Sequence, residues 1–328
     1  MKLFFALLTV LLVGILTLAG CQTTASTPPA AVSSNSSAVQ VNTVALAASA
    51  PAFTGITITD DVGRTVVIKS IPQRIISLAP SNTEMVYALG LQDSLVGVTT
   101  YDNYPPEAKD KPQVSGFSDV DIEKIVSLQP DLVLAADIHR AEVVPALEKL
   151  GISVVVIRPS TIDDVLNELT LLGKISGKTD QAAALVATLK QRVKAIMDNV
   201  SQLATAKPRI LYVAWYDPIW TAGDDTMIGD LFSKAGANNI ANDISGYATI
   251  SLETAIQRNP QIILVMSSMG DQNESLNYIN SEPRFQSTDA VKNKQVFEID
   301  ADIFGRTTPR IVDGLETLAK MVHPELNK

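Results

Sequence analysis

Five aromatic side chains stand in segments whose Pro, Gly and Asp content predicts loops. An aromatic ring presents a large, rigid apolar face that stacks well on a flat partner. Only 5% of the chain is aromatic, so five rings in predicted loops indicate a binding surface for a large, flat, apolar ligand. For any single ring, a place in the core is the alternative. The five candidates are Tyr101, Phe117, Trp220, Tyr247 and Phe304.

Two glutamates, Glu123 and Glu253, occupy the same place in a motif that occurs twice. In each copy an aromatic residue after Ser-Gly precedes the glutamate by six positions, and a proline follows it by seven, ahead of an apolar run. The identical spacing predicts two related lobes, each with an exposed aromatic, a helix with Glu in its first turn and a core strand. A glutamate there also complements the helix dipole, which is the alternative without a binding role. The copies run from Ser115 to Pro130 and from Ser245 to Pro260.

Residues for catalysis or metal binding are scarce. The chain has one cysteine, Cys21, and two histidines, His139 and His323. No G-x-S-x-G elbow, phosphate-binding glycine loop or dinucleotide fingerprint occurs, and a bare metal ion would need several converging ligands. Glu123 and Glu253 have duplicate settings, which do not distinguish an acid from a base. The sequence predicts a protein that is not an enzyme and has no metal site, with an envelope hydrolase as the less favoured alternative.

Strand-like and helix-like segments alternate along the body of the chain, after a hairpin pattern around Asp61-Val-Gly-Arg64. The alternation predicts an α/β fold with mostly parallel sheets, in two Rossmann-like lobes at 53–177 and 205–328. Between them, the apolar residues of 178–204 recur every three or four positions, which predicts one long amphipathic helix that bridges the lobes. A coiled-coil segment is the competing interpretation. A ligand is expected in the cleft between the lobes, at the carboxyl ends of the strands.

The first fifty residues predict export and anchoring. Lys2 and an apolar run from Phe4 to Leu18 are typical of a secretory signal over 1–20. Leu18-Ala-Gly-Cys21 resembles the lipobox of bacterial lipoproteins, which implies that Cys21 is lipidated; a buried thiol is the alternative. Residues 21–52 are rich in Ser, Thr, Ala and Pro, which indicates a flexible tether. The predicted location is therefore extracytoplasmic, on a membrane surface. The net charge of −9 argues against nucleic acid as a binding partner.

Two longer segments resemble hallmark segments of the solute-binding proteins of ABC importers for cobalamin, iron–siderophore complexes and haem. They are Arg74-Ile-Ile-Ser-Leu-Ala-Pro-Ser-Asn-Thr-Glu84 and Glu123-Lys-Ile-Val-Ser-Leu-Gln-Pro-Asp-Leu-Val133, and the likeness covers nearly everything from about Ile56 onwards. The resemblance implies a monomer without a resident cofactor that delivers a small molecule to a membrane permease. In that family a glutamate of each lobe pairs with arginines of the permease, and Glu123 and Glu253 match them.

Within this class the chain resembles the cobalamin-binding branch most. Tyr101-Asp-Asn-Tyr-Pro-Pro106 resembles its first-lobe loop, and Asp302 and Arg306 fall where it has polar contacts. Phe117, Trp220 and Tyr247 fall where it places aromatics, whereas Ala136 replaces a tryptophan. The resemblance implies cobalamin or a related corrinoid as ligand. A ferric siderophore or haem is the alternative, with Arg306 then paired to a carboxylate. His139 is predicted to be a solvated loop residue, with a contact to the upper face of the ligand as the alternative.

Overall fold

The computed structural model describes residues 53–203, 206–267 and 273–327. The predicted signal at 1–20, the lipid anchor at Cys21 and the tether at 21–52 lie outside these ranges.

The N-terminal lobe is a parallel sheet covered by helices on both faces. Its elements are β1 (Ile56–Thr59), β2 (Thr65–Ile68), β3 (Ile75–Ser77), α1 (Pro80–Ala88), β4 (Leu95–Thr99), β5 (Gln113–Ser115), α2 (Ile122–Ser127), β6 (Leu132–Ala136), α3 (Val143–Lys149), β7 (Ser153–Ile157) and α4 (Ile162–Ile175). The sheet order is β5-β4-β3-β6-β7, with parallel neighbours, and β1 and β2 form the predicted antiparallel hairpin. Strands β6 and β7 are almost wholly apolar and buried, as expected for strands covered on both faces.

A second parallel sheet follows the linking helix α5 (Thr179–Ser201). The remaining elements are β8 (Arg209–Val213), β9 (Trp215–Tyr216), β10 (Ile219–Ala222), α6 (Met227–Lys234), β11 (Asn238–Asn239), β12 (Tyr247–Thr249), α7 (Leu252–Gln257), β13 (Ile262–Met266), α8 (Glu274–Ser281), α9 (Asp289–Lys292), β14 (Val296–Ile299), α10 (Ala301–Phe304) and α11 (Ile311–Val322). Parallel strands form the order β11-β8-β13-β14, while β12, β10 and β9 form a separate antiparallel sheet. Both predicted α/β lobes are therefore present.

The repeated motif has the same backbone conformation in both lobes. Gln129 and Asn259 each have positive φ, 47° and 46°, directly before the proline that follows α2 or α7. A left-handed residue there ends a helix, and proline cannot continue it. The two lobes also share a side-chain contact, because Arg74 Nε donates to the Gln129 carbonyl and Arg209 Nε donates to the Asn259 carbonyl. The prediction of two related lobes is therefore confirmed, and equivalent arginines make the same hydrogen bond in each lobe.

Helix α5 packs against both lobes, and its 23 residues span about 35 Å at the usual rise of 1.5 Å per residue. Its buried face of Ala182, Val186, Leu189 and Val193 belongs to one hydrophobic core that includes residues of α4 and α11. Helices α4 and α5 are in close contact, because a Cβ atom added at Gly173 of α4 would collide with the methyl group of Ala182 of α5. The apolar face of α5 is therefore covered within the chain, which rules against the coiled-coil interpretation.

Helix α4 was not predicted, although its sequence carries clear signals. Thr161 accepts a hydrogen bond from the Asp164 amide, and Asp164 accepts one from the Thr161 amide, which is a capping box. Its buried apolar residues recur every three or four positions from Ile162 to Ile175. These signals stand directly before those of α5.

Glu168, on the buried face of α4, makes stability depend on pH. It is 5% exposed; burial raises its pKa to about 9 from 4.5, and the Asp61 carboxylate adds to the rise. Between these pKa values the folded chain holds a proton that the unfolded chain has lost, so stability falls as pH rises. We expect the free energy of unfolding to decrease from about pH 7 to about pH 9 in urea titrations, and Glu168→Gln to remove most of this slope.

The matched control for Glu168→Gln is Asp163→Asn, at a carboxylate on the same helix that is 69% exposed. This variant should keep the slope. A wild-type slope retained in Glu168→Gln would contradict the assignment of the proton to Glu168.

Candidate ligand-binding cleft

A cavity of about 520 Å³ lies between loops of the two lobes. Its N-terminal wall includes the loop after β4, and its C-terminal wall includes the start of α10 and the residue that follows β13. Three predicted site residues, Tyr101, Asp302 and Arg306, line it together. The lining residues are Thr100, Tyr101, Asp102, Asn103, Lys109, Gln113, Ser267, Asp300, Ala301, Asp302 and Arg306. The structure thus brings the polar pair and the first-lobe tyrosine to one cleft.

The loop after β4 is held at both ends. Asp102 is buried, and its Oδ2 accepts hydrogen bonds from the Thr99 amide at 2.8 Å and the Thr99 hydroxyl at 2.6 Å. Burial raises the pKa of this carboxyl, while bonds from Thr83 and Thr99 oppose the rise. Tyr104 lies under the Arg310 guanidinium, 3.9 Å from its ring centre, in a cation–π contact between the lobes. Asn103 therefore lies between two residues that are held by contacts with the rest of the fold.

Glu84 on α1 joins the lobes through two arginines. It is 3% exposed, its carboxylate accepts from Arg310 Nε at 2.7 Å and Nη2 at 2.5 Å, and Arg306 Nη1 lies 3.2 Å away. The Glu84 carboxylate also holds the pKa of Arg310 above its usual value. A bidentate arginine–carboxylate pair is strong and geometrically specific. This buried cluster links the two lobes, and one of its members, Arg306, also lines the cleft.

The C-terminal aromatics form an exposed face on the sheet of β9, β10 and β12. Trp220 lies opposite Trp215 on one side and Thr249 on the other, and Tyr247 lies opposite Ala222 two residues along the strand. Residues paired directly across an antiparallel ladder share one face, as do residues two apart. Trp215, Trp220 and Tyr247 are 41–51% exposed, which is high for rings of this size. Trp220 and Tyr247 are thus strand residues rather than loop residues.

The N-terminal aromatics Tyr101 and Phe117 are also exposed and lie in neighbouring loops. Gly116 stands next to the Tyr101 ring, since a Cβ built on it would lie 4.0 Å from Tyr101 Cε2. Phe117 packs edge-on against His139, with ring centres 6.0 Å apart. Four predicted aromatic contacts, two on each lobe, are therefore open to a ligand.

Phe304 is not among them, and its prediction as a ligand contact is wrong. It ends α10, is 5% exposed and lies against Gly314 of α11 in the main core. The segment predicted as a loop folds into a turn of helix because Asp300 caps it through the Asp302 amide. The cap turns the ring inwards and leaves Asp302 on the cleft.

His139 is buried, so the prediction of a solvated loop residue is also wrong. Its Nδ1 accepts from the Ala136 amide at 3.0 Å, and its Nε2 lies 2.8 Å from the Phe117 carbonyl, which can only accept. Burial lowers the pKa of the imidazole, which fits this neutral form. Both nitrogens are engaged by backbone groups, so His139 positions the Phe117 loop and has no free nitrogen for a ligand.

Glu123 and Glu253 occupy the first turns of α2 and α7, as predicted, and both are exposed. Asp121 and Ser251 cap the two helices through the amides of Lys124 and Thr254. Glu253 forms an exposed ion pair with Arg284 at 3.1 Å, and such pairs contribute about 0–1 kcal/mol. Both carboxylates are therefore exposed to solvent, at equivalent positions on the rims of the two lobes.

Four residues of this region were not predicted as site residues from the sequence: Glu84, Asn103, Arg310 and Trp215. Glu84 and Arg310 lie 226 positions apart, so no local pattern links them. Trp215 lies five residues before Trp220. Only the pairing register of β9 and β10 shows that the two rings lie on the same face of the sheet.

Over the described ranges, no group of three or more His, Cys, Asp or Glu side chains could hold a metal ion. Within the same residues, no helix combines the length and apolar character needed to cross a bilayer.

Comparison with known proteins identifies the family. A family model described as periplasmic binding protein matches residues 75–303. The uncharacterized ABC transporter substrate-binding lipoprotein YvrC of Bacillus subtilis (strain 168) is 32% identical over 279 residues, covering 83% of this chain and 87% of the relative. A cobalamin-binding protein of Halobacterium salinarum (strain ATCC 29341 / DSM 671 / R1) is 31% identical over 265 residues, covering 79% of this chain and 71% of the relative.

The fold likeness extends to solved structures. The crystal structure of a periplasmic heme binding protein from Pseudomonas aeruginosa matches with a TM-score of 0.70 at 26% identity, covering 77% of this chain and 93% of that chain. The family match spans more than half of the chain, and the two parallel sheets with a cleft between them agree with it. The chain therefore belongs to the periplasmic binding protein family, as a substrate-binding protein of an ABC transporter.

Proposed function

We propose that this protein captures cobalamin or a related corrinoid outside the cytoplasm and delivers it to the permease of an ABC importer. The observation that carries the proposal is the exposure of large aromatic side chains on both lobes, Tyr101 and Phe117 on one and Trp220 and Tyr247 on the other. Exposed apolar patches on a soluble domain mark binding surfaces, and a flat macrocycle offers a matching apolar face. The 31% identity to a cobalamin-binding protein supports the same ligand class.

Intrinsic fluorescence provides a direct test. The chain has two tryptophans, Trp215 and Trp220, and both lie on the exposed face of the small antiparallel sheet. A corrinoid stacked on this face should quench most of the emission. Cobalamin, cobinamide, haem and ferric siderophores are titrated in parallel, with correction for their absorbance. Tighter binding of haem or a siderophore than of any corrinoid would refute the proposed ligand.

Glu123 and Glu253 are proposed as the permease-docking residues. Exposed charges on two rims set the register and rate of association more than they add affinity. Glu123→Ala with Glu253→Ala is expected to leave the ligand Kd unchanged and to reduce uptake by a reconstituted importer at least about tenfold. Glu142→Ala removes another exposed glutamate, one that makes no cap bond to α3, and serves as the control. Normal uptake by the double variant would refute the docking role.

Lipidation of Cys21 is proposed to hold the protein on the membrane surface. Acyl chains anchor by burying methylene groups, about 0.8 kcal/mol each, and need no spanning helix. Cys21→Ala is expected to shift the protein from the membrane fraction to the soluble fraction without changing ligand affinity. Membrane retention of this variant at high salt would show that another segment anchors the chain.

A further inference from the structure

The two glutamates that are proposed to dock the permease differ in what surrounds them. Glu253 Oε1 accepts a hydrogen bond from Arg284 Nη1 at 3.1 Å. Glu123 makes no ion pair or side-chain hydrogen bond with any residue that the structure describes. A cation that approaches the protein therefore meets a free carboxylate on the N-terminal lobe and an occupied one on the C-terminal lobe.

Arg284 is held mainly by a different carboxylate, that of Glu282. Arg284 Nε donates to Glu282 Oε1 at 2.8 Å, and the Arg284 amide donates to the same oxygen at 3.1 Å. Glu282 also contributes more than Glu253 to raising the pKa of the Arg284 guanidinium. The Glu282 side chain is 15% exposed, whereas that of Glu253 is 75% exposed. Arg284 thus has one firm partner and reaches Glu253 with its outer nitrogen.

The segment that carries Arg284 is fixed by its neighbours in the core. Phe285, the next residue, is fully buried and packs edge-on against Tyr278 of α8, with ring centres 6.5 Å apart. The Phe285 amide donates to the Glu282 carbonyl at 3.1 Å. The guanidinium is therefore placed beside Glu253 by the fold rather than by the ion pair itself.

We propose that Arg284 is an internal competitor at the docking surface: it occupies the Glu253 carboxylate that a cation of the permease would bind, so that docking begins at Glu123. The inference rests on the proposed docking role of Glu253. When the permease binds Glu253, Arg284 keeps its bonds to Glu282, so the exchange leaves no charge without a partner. The occupied carboxylate makes the contact of the C-terminal lobe the later of the two.

The physical effect has two parts that act in the same direction. An approaching cation must replace the Arg284 contact with Glu253, and it is also repelled by the Arg284 charge a few ångströms away. Both parts are reduced by water and salt, since Arg284 and Glu253 are exposed. Removing Arg284 is therefore expected to favour docking by a modest factor.

Arg284→Gln tests the competitor directly. The full chain, with cobalamin present, is bound to the importer in nanodiscs at about 50 mM salt, and biolayer interferometry measures the association rate constant against empty nanodiscs. The rate constant is expected to rise about threefold to fivefold. Lys149→Gln removes the same charge at an exposed site in the last turn of α3 and should leave the rate unchanged. Slower or unchanged docking of Arg284→Gln would overturn the proposal.

A double-mutant cycle separates this inference from the docking role on which it rests. Glu253→Ala alone should slow docking, and adding Arg284→Gln to it should give no gain, because the carboxylate for which the two cations compete is gone. A gain that persists without Glu253 would overturn the competition. Normal docking of Glu253→Ala would instead refute the proposed docking role, and the competitor with it.

Glu282→Gln should act in the opposite direction. The change removes the main partner of Arg284, which is then expected to pair more closely with Glu253 and to slow docking about twofold to threefold. This slowing should disappear in the Glu253→Ala background. If Arg284 served only to hold its segment in place, Arg284→Gln and Glu282→Gln would change docking in the same direction, and that result would contradict the proposal.

Discussion

Replacing Glu84 with glutamine is expected to lower the free energy of unfolding by about 3–5 kcal/mol. The change removes the carboxylate that neutralises Arg306 and Arg310, whose side chains are 15% and 17% exposed. The Arg310 guanidinium would then remain largely buried without its carboxylate, while Arg306 would keep its ion pair with Asp302. Removing one member of a buried ion pair is among the most costly polar substitutions. Because Glu84 joins the lobes, the loss should appear in urea denaturation as a lower midpoint.

The control for Glu84→Gln is Glu316→Gln, which breaks the contacts of Glu316 with Arg192 and Lys320 on an exposed surface. Exposed pairs contribute about 0–1 kcal/mol, so this variant should stay close to the wild type. Circular dichroism at low denaturant verifies that Glu84→Gln is folded before its affinity is measured. A Glu84→Gln protein as stable as Glu316→Gln would show that the cross-lobe cluster does not hold the lobes together.

The second large effect is expected in ligand affinity. Trp220→Ala should weaken corrinoid binding by about thirtyfold, since a large aromatic contact is typically worth about 2 kcal/mol or more. Tyr101→Ala, on the opposite lobe, should have a comparable effect. The two side chains belong to separate lobes and contact the ligand from opposite sides, so the double variant should lose about the product of the single losses. Isothermal titration measures all three without relying on tryptophan emission.

Met197→Ala is the control for these losses, because Met197 is an exposed apolar side chain on the linking helix, with 42% exposure close to that of Trp220. The affinity of the Met197→Ala variant for the corrinoid should equal that of the wild type. Changes of less than about threefold in both single variants would show that the exposed aromatics do not contact the ligand.

The errors at Phe304 and His139 have a common physical reason. Each lies in a short segment whose composition predicts a loop, yet one hydrogen-bonded turn decides where the ring points. Asp300 caps α10 and turns Phe304 into the core, while the Ala136 amide and the Phe117 carbonyl hold His139 inside. Composition does not reveal such turns because the partners of His139 come from a distant loop as well as from its own.

The sequence alone determined the alternation of strands and helices, the long bridge from Thr179 and the repeated motif around Glu123 and Glu253. These features depend on apolar periodicity and local turn chemistry, which act between residues a few positions apart. The cleft chemistry was decided by the tertiary structure. Glu84 meets Arg310 across 226 positions, and Asn103 meets Asp302 across 199, only because two folded lobes are held side by side by α5. Charge and amide groups have no sequence period, so their pairing follows from packing alone.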